Sequence, residues 1–420
     1  MLSTEEVARR LGVKPATVYA YVSRGLLGSE RNAAGKGSLF AEAEIEAFAA
    51  ARRRPAVPGE SPPIHTGLTL IKDGALYFRG HDAAALARES SYESVAMLLW
   101  TGELSSVRLV PPAGLLALAE NVTAPLPSAA RLTDRLRVIV AAAAAADPLR
   151  FDTASAAVIA TGQTMLATMV AALPLRRPTD GPREERFPLA GMLWPRLTPV
   201  PPTPAGIATL NAALVLLADH DLAASTLAAR VAASTRAHPY AVVGAGLAAL
   251  DGPLHGAASG LAYGLLLDAV RSGDPVNALS DRLRVGGVPG FGHRLYPGGD
   301  PRAKALLALL HEAWSDNGRR GVARGSDGAV RRTDPPTGRA ALAIIDEVAA
   351  AVTQRSGVAP NIDFAIAAFA LLNGMSQDAG EAIFAVARTA GWIAHALEEY
   401  GDRPSRFRPS GRYAGRLPGS

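Results

Sequence analysis

The feature that most constrains this chain is a series of Ala- and Leu-rich runs at helical spacing, cut apart by proline and glycine. Residues 92–100, 211–217 and 365–372 are such runs, and the breakers fall between them at 174–188, 195–204 and 286–301. Segments with that period bury an apolar face against other helices, and the punctuation fixes where each one stops. The pattern predicts a large, mainly α body of many packed helices. Its one clear strand signal is Lys72-Asp73-Gly74 between the apolar runs 68–71 and 75–78, which predicts a small β-hairpin. No glycine fingerprint for a dinucleotide follows a strand. The longest apolar stretches, such as 138–146, are too short to cross a bilayer. Residues 315–338 are polar and rich in Arg and Gly, and read as a mobile loop.

The first 54 residues read as a separate unit. Ser3-x-x-Glu6 has the form of a capping box opening a helix over 5–11, which Gly12 ends. Pro15 fits the first turn of a second helix running to Ser23 and closed by Gly25. A tight turn or wing is expected over 31–38, and a third helix from Ala41 to Arg52-Arg53-Arg54. Short helix, glycine turn, short helix is helix-turn-helix spacing. Leu11-Gly12-Val13 and the run Tyr21-Val22-Ser23-Arg24-Gly25-Leu26-Leu27 resemble the MerR/excisionase type of winged helix-turn-helix. Residues 1–57 hold nine Lys+Arg against six Asp+Glu, more than half of the chain's net charge of +5. If the second helix enters a major groove, Thr17, Tyr19, Tyr21 and Arg24 are its expected contacts, with Arg31 and Lys36 from the wing. The opposing reading is an appended packing or dimerisation module. A Pro-rich linker, 55–65, follows.

Three loops in the body carry chemistry. Without any cysteine, the chain has no disulfide, no Cys-ligated metal and no thiol nucleophile. Two of its eight histidines stand between glycines, His255 in Gly252-Pro253-Leu254-His255-Gly256 and His293 in Gly290-Phe291-Gly292-His293. Glycines on both sides let backbone approach a ligand closely, so each loop can present its imidazole. The third loop, Pro360-Asn361-Ile362-Asp363-Phe364, sets a carboxylate among apolar neighbours at a helix start. Alone, Asp363 reads as a helix N-cap. Together the three give two imidazoles and one carboxylate with no metal-ligand pattern, a set suited to proton abstraction beside a carbonyl.

Pro253-Leu254-His255-Gly256, the run Gly290 to Tyr296 with Asp300-Pro301-Arg302, and Asn361-Ile362-Asp363-Phe364 resemble the three signature segments of citrate synthases. The resemblance extends over about 67–415 and includes Tyr77 to Asp82 and Ala387 to His395. It implies a two-lobe helical fold, with the large lobe formed by 66–255 and 365–420 and the small lobe by 256–364. It further implies condensation of an acyl-CoA with oxaloacetate, with no resident cofactor or metal. Asp363 matches the base that deprotonates the acyl carbon, His255 the donor to the thioester oxygen, and His293 the group that polarises and protonates the ketone. His220, Arg302, Arg388 and Arg408 match substrate-binding positions. Arg408 corresponds to an arginine lent to the neighbouring subunit of a homodimer. The loop Val285, Gly286, Gly287, Val288, Pro289 and Gly290 matches the one that recognises the adenine of CoA. His65, His238, His311 and His395 match no role and read as surface or core residues.

The chain departs from the family pattern at Ala223, where an Asn is usual, at Gly256-Ala257-Ala258-Ser259-Gly260, and at Pro297, a position often held by Lys or Arg. Each change removes a polar contact while keeping the reacting groups. Weaker activity, a different acyl-CoA or 2-oxo acid, or a site that only binds would all fit. Acetyl-CoA and propionyl-CoA both remain open, since one methylene is worth only about 1–3 kcal/mol in a pocket. A second class of function competes: a transcription regulator whose body senses a metabolite. The first residues lack the basic and apolar regions of a secretory signal, which predicts a cytoplasmic protein away from membranes.

Overall fold

The structure is a computed structural model that describes residues 1–23, 27–31, 38–53, 64–177, 188–284, 287–316, 338–402 and 407. It divides into two compact units, Met1–Gly67 with Arg406–Ser420, and Leu68–Ser405.

The first unit comprises β1 (Leu2–Ser3), α1 (Thr4–Leu11), α2 (Pro15–Ser23), β2 (Glu30–Arg31), β3 (Ser38–Phe40) and α3 (Glu42–Arg53). The Ser3/Glu6 capping box forms, and Gly12 ends α1 in the left-handed region at φ +66°. The strands pair in the order β1-β3-β2, with Leu2 opposite Phe40 and Arg31 opposite Ser38. β1 carried no sequence signal, since two residues are too few to show alternation. Val7, Val18, Leu27, Phe40 and Ile45 are buried at the centre, enough apolar surface to hold three short helices together. Most of the expected wing, and most of the linker, lie outside the described residues.

The second unit opens with a sheet of three short strands, β4 (Thr69–Lys72), β5 (Ala75–Phe78) and β6 (His81–Asp82), in that order. Asp73 and Gly74 make the turn at φ +51° and +76°, as the Asp-Gly signal requires. β6 escaped the sequence reading because it is only two residues long. Fifteen helices follow among the described residues: α4 (Ala83–Glu89), α5 (Tyr92–Thr101), α6 (Ala113–Thr123), α7 (Leu132–Ala146), α8 (Ser155–Ala171), α9 (Leu189–Leu197), α10 (Pro204–Leu217), α11 (Ala224–Ser234), α12 (Pro239–Leu250), α13 (Ala258–Ser272), α14 (Pro275–Arg284), α15 (Pro301–Asp316), α16 (Arg339–Ser356), α17 (Ile362–Leu372) and α18 (Ala379–Gly401).

α18 is the central post, buried from Ala379 through Ala396 and packed against α5, α7, α8, α10, α11, α12, α13 and α17. Small residues on its neighbours make that burial fit. A Cβ at Gly246 of α12 would lie 2.6 Å from the Trp392 ring. One breaker behaves differently from expectation: Pro195 lies inside α9 rather than ending the helix before it. The next residue, Arg196, ties this part of α9 to the end of α8, donating to Ala171 O at 2.8 Å and Leu173 O at 3.1 Å as well as to Met192 O at 2.5 Å. The expected mobile loop falls almost wholly outside the described residues. Among those residues, no helix is long and apolar enough to cross a membrane.

Candidate active site

Two of the reactive loops are stitched to each other by backbone. Asn361 N–H donates to Gly290 O and Gly292 N–H to Ala359 O, both at 2.9 Å, so Phe291 and Pro360 form an antiparallel bridge. The Asn361 amide adds a bond from Nδ2 to Gly292 O at 2.9 Å. This closeness explains the glycines. Gly290 has φ +87°, and a Cβ there would stand 3.0 Å from Phe364 Cβ. The N-cap of α17 is Asn361, whose Oδ1 accepts from the N–H groups of Asp363 and Phe364. The expectation that Asp363 caps the helix is therefore corrected. With Asn361 taking that place, the Asp363 carboxylate is released from capping.

Asp363 is half-buried, and its environment pushes its carboxyl up to about 6. Desolvation is the main cause; Arg302 opposes it and Asp300 adds to it. Beside it, Arg302 is 3% exposed and paired bidentately with Asp300, Nε to Oδ1 at 3.0 Å and Nη2 to Oδ2 at 2.8 Å. Asp300 also accepts the N–H of Ile362 at 3.0 Å, which ties the start of α15 to that of α17.

The three histidines singled out by sequence each have one ring nitrogen engaged. Leu295 N–H points at His293 Nδ1 from 3.2 Å, so that nitrogen accepts and Nε2 carries the proton. His255 Nε2 lies 2.8 Å from Ser225 Oγ, on the first turn of α11. His220 Nε2 lies 2.9 Å from the Tyr296 hydroxyl, and the His220 and His293 rings meet edge to face at 5.1 Å. Burial, then the charges of Arg302 and Arg388 and the His293 ring, holds His220 well below the ordinary imidazole value. Burial and then Arg388 lower His255 to about 4, and burial and then Arg302 lower His293. All three are thus neutral near pH 7, each with a single ring N–H. Tyr296 is raised to about 12, chiefly by burial, so its hydroxyl keeps its proton.

Arg388, on α18, completes the neighbourhood. It is 1% exposed, donates from Nε to Leu217 O at 2.8 Å, and stacks over Phe384, whose ring also meets His255 at 5.6 Å. Its Nη1 has no hydrogen-bond partner among the described residues. Burial first of all lowers this guanidinium to about 10. A buried donor with nothing to donate to is expensive, and an incoming carboxylate would remove the penalty.

Of the CoA-loop residues, Gly287, Val288, Pro289 and Gly290 lead directly into the His293 segment, while Val285 and Gly286 lie outside the described residues. So does Arg408. In the first unit Thr17, Tyr19 and Tyr21 are on α2 and Arg31 is on β2; Arg24 and Lys36 are not described. Tyr19 is exposed, whereas Tyr21 packs on Phe48 at 5.2 Å. His238 caps α12 by accepting from Ala241 N–H, His311 pairs with Asp346 at 3.1 Å, and His395 is wholly buried. Sequence reasoning assigned no part to Ser225, Tyr296, Asp300 or Asn361. For Asn361 the signal was present, an Asn two residues before the first carboxylate of a helix. Among the described residues, no group of three or more His, Asp or Glu is arranged to hold a metal ion.

Comparison with known proteins agrees with this picture. Residues 61–410 match the sequence model of the citrate synthase C-terminal domain, and residues 1–53 match that of a helix-turn-helix domain. A 2-methylcitrate synthase of Corynebacterium glutamicum is 30% identical over 81% of this chain and 89% of its own length. A citrate synthase of Haloferax volcanii is 33% identical over 81% of this chain and 90% of its own. The fold is shared with the citrate synthase of Thermoplasma acidophilum solved with carboxymethyl coenzyme A and oxaloacetate. That likeness has a TM-score of 0.66 at 24% identity and covers 84% of this chain and 94% of that one. With the family pattern running through nearly the whole body, this chain belongs to the citrate synthase family.

Proposed function

We propose that the chain condenses a short acyl-CoA with oxaloacetate, giving citrate or 2-methylcitrate and free CoA. The observation that carries the reading is Asp363, a carboxyl raised to about 6 beside the Arg302–Asp300 pair, in a chain that also buries Arg388 with its Nη1 left without a hydrogen-bond partner among the described residues. A base with that value accepts a proton at neutral pH and is readily reprotonated.

In this reading Asp363 removes a proton from the carbon beside the thioester, and the electron pair moves onto the thioester oxygen. With Ser225 Oγ–H donating to His255 Nε2, the imidazole proton is on Nδ1 and meets that oxygen. The enol carbon then attacks the ketone carbon of oxaloacetate, while His293 Nε2–H polarises the ketone oxygen and supplies its proton. Water cleaves the new thioester, releasing CoA. Arg388, Arg302 and His220 receive the oxaloacetate carboxylates, Arg408 from the partner of a homodimer completes that set, and residues 285–290 take the adenine. No resident cofactor is needed, because acyl-CoA, oxaloacetate and water balance the reaction. Relatives of both the citrate and 2-methylcitrate type support acetyl or propionyl as the acyl group. A cytoplasmic location is part of the same reading and is tested by cell fractionation.

The test is thiol release with a panel of acyl-CoAs in the presence and absence of oxaloacetate. Release that requires oxaloacetate, and that Asp363→Ala abolishes while oxaloacetate binding persists, supports the reading. Near-wild-type turnover in that variant removes Asp363 from the mechanism. The helix-turn-helix match over 1–53 favours a second reading, in which the first unit binds DNA and the body reports on a metabolite. A fragment from the protein's own upstream region should then be retarded in preference to random duplex, with steep salt dependence.

A further inference from the structure

Arg388, Gly391 and His395 lie at spacings of three and four on α18, so they share one face. That face meets three consecutive residues at the end of α10. Arg388 Nε donates to Leu217 O at 2.8 Å and Gly391 N–H to Ala218 O at 3.0 Å, while His395 Nε2 and Asp219 Oδ1 face each other at 3.3 Å, in ion-pair range but out of line for a hydrogen bond. The fit is close enough to need the glycine: a Cβ at 391 would lie 2.5 Å from both Ala218 O and Asp219 Oδ1. His220 is the next residue in the chain.

Behind this face stands a second buried layer. Arg230 of α11 donates from Nη1 to His395 Nδ1 at 2.9 Å, and Glu399 and Glu398 hold the same guanidinium at 2.8 Å each. A guanidinium only donates, so Nδ1 accepts and the His395 proton is on Nε2, toward Asp219. Thr69 Oγ1 donates to the other carboxylate oxygen, Oδ2, at 2.5 Å. Asp219 and His395 are both fully buried. Burial alone would raise the Asp219 carboxyl; His395, Arg388 and Thr69 outweigh it and hold it below the ordinary value. Asp219 in turn is the carboxylate that favours the charge on Arg388.

We propose that Arg230, His395 and Asp219 form a positioning relay for the oxaloacetate half of the site. Arg230 orients His395, His395 anchors Asp219, and Asp219 both places His220 and offsets the charge that Arg388 offers to a substrate carboxylate. The relay rests on the reading of Arg388 and His220 as the oxaloacetate-binding groups. It gives Arg388 a resident counter-charge while the site is empty, so the cation tolerates burial. The same counter-charge opposes an incoming anion, which keeps substrate and product from binding too tightly.

A purely structural peg and a charge-setting relay predict opposite results for Asp219→Asn. The amide keeps the shape and an oxygen facing His395 Nε2 while Thr69 turns to suit, but the charge is gone. Oxaloacetate binding, measured by calorimetry on the full chain without acyl-CoA, should tighten about tenfold, the scale of one unit charge acting across a partly screened site. The KM for acyl-CoA should stay unchanged. His395→Ala leaves the charge but removes its anchor, and should weaken oxaloacetate binding about tenfold through misplacement of His220. His395→Gln, which keeps an N–H donor toward Asp219, should recover part of that loss. Circular dichroism establishes that each variant is folded, and if Asp219→Asn is not, the two His395 variants carry the test. Weaker or unchanged binding in folded Asp219→Asn overturns the charge-setting role. Unchanged binding in folded His395→Ala, or an equal loss for acyl-CoA, overturns the relay. A wild-type chain that binds no oxaloacetate overturns the proposed function itself, and the relay with it.

Discussion

Replacing Asp363 with Asn should make the protein more stable and far less active. The carboxyl rises from 3.8 to about 6 in the fold, mainly because burial disfavours its charge. Two pH units at about 1.4 kcal/mol each set an upper bound of about 3 kcal/mol for the destabilisation by the ionised form. Asp363 is only half-buried, so screening by solvent reduces this to about 1–2 kcal/mol. The sign follows from the raised value. Below pH 4 the carboxyl is neutral in folded and unfolded chains and costs nothing. Between 4 and 6 the folded chain holds a proton that the unfolded chain has lost, so stability falls as pH rises. Above 6 both are ionised and the full cost applies. Asn is neutral throughout and keeps the backbone N–H bond to Asn361 Oδ1. Urea unfolding followed by tryptophan fluorescence reads the body alone, because all four tryptophans (Trp100, Trp194, Trp314 and Trp392) lie within it. The stability gained by the variant should grow from pH 5 to pH 7 and then level off, while CoA release falls by about 10²–10⁴. A variant no more stable than wild type at pH 8, or one whose gain ignores pH, would refute the assigned environment.

Three further perturbations follow from the same geometry. Asn361→Ala removes the cap of α17 and the bond to Gly292 O, and should cost about 1–2 kcal/mol in urea unfolding together with a lower kcat; unchanged kcat would detach the cap from catalysis. Gly256→Ala sets a Cβ 2.4 Å from Leu250 O, a backbone atom that cannot swing away, so the His255 loop must shift at a cost of about 1–3 kcal/mol and activity should fall sharply. Full activity in that variant would show that the loop tolerates displacement. Inactive Arg408→Ala and Asp363→Ala proteins, mixed so that subunits exchange, should regain up to about half of wild-type activity per heterodimer, because one site then has both residues intact. A mixture that exchanges and stays dead would return Arg408 to its own chain's site.

Local rules in the sequence carried much of this structure, and non-local ones carried the rest. Ser3 with Glu6, the Asp73-Gly74 turn and the Ala/Leu period of α5, α10 and α17 act within a few residues, so they could be read directly. The choice between Asn361 and Asp363 as cap could not, because it depends on where Gly290 and Gly292, some seventy residues earlier, pin the turn. Pro195 read as a breaker, yet α9 runs through it to Leu197. His395 read as a surface or core histidine without a role; its neighbours Arg230 and Asp219 lie elsewhere in the chain, and no spacing announces them. The candidate reacting residues took their roles from resemblance alone, whereas the side chains that engage their ring nitrogens and offset their charges had no signal in the chain.

The most direct measurement is carbon-13 NMR of the product formed from acetyl-CoA labelled at the methyl carbon, incubated with unlabelled oxaloacetate and the full chain. Proton abstraction by Asp363 followed by attack on the ketone predicts that the label appears in a methylene of citrate, at a rate matching CoA release. Label recovered as free acetate, or left in acetyl-CoA when propionyl-CoA also gives no condensed product, would contradict the account.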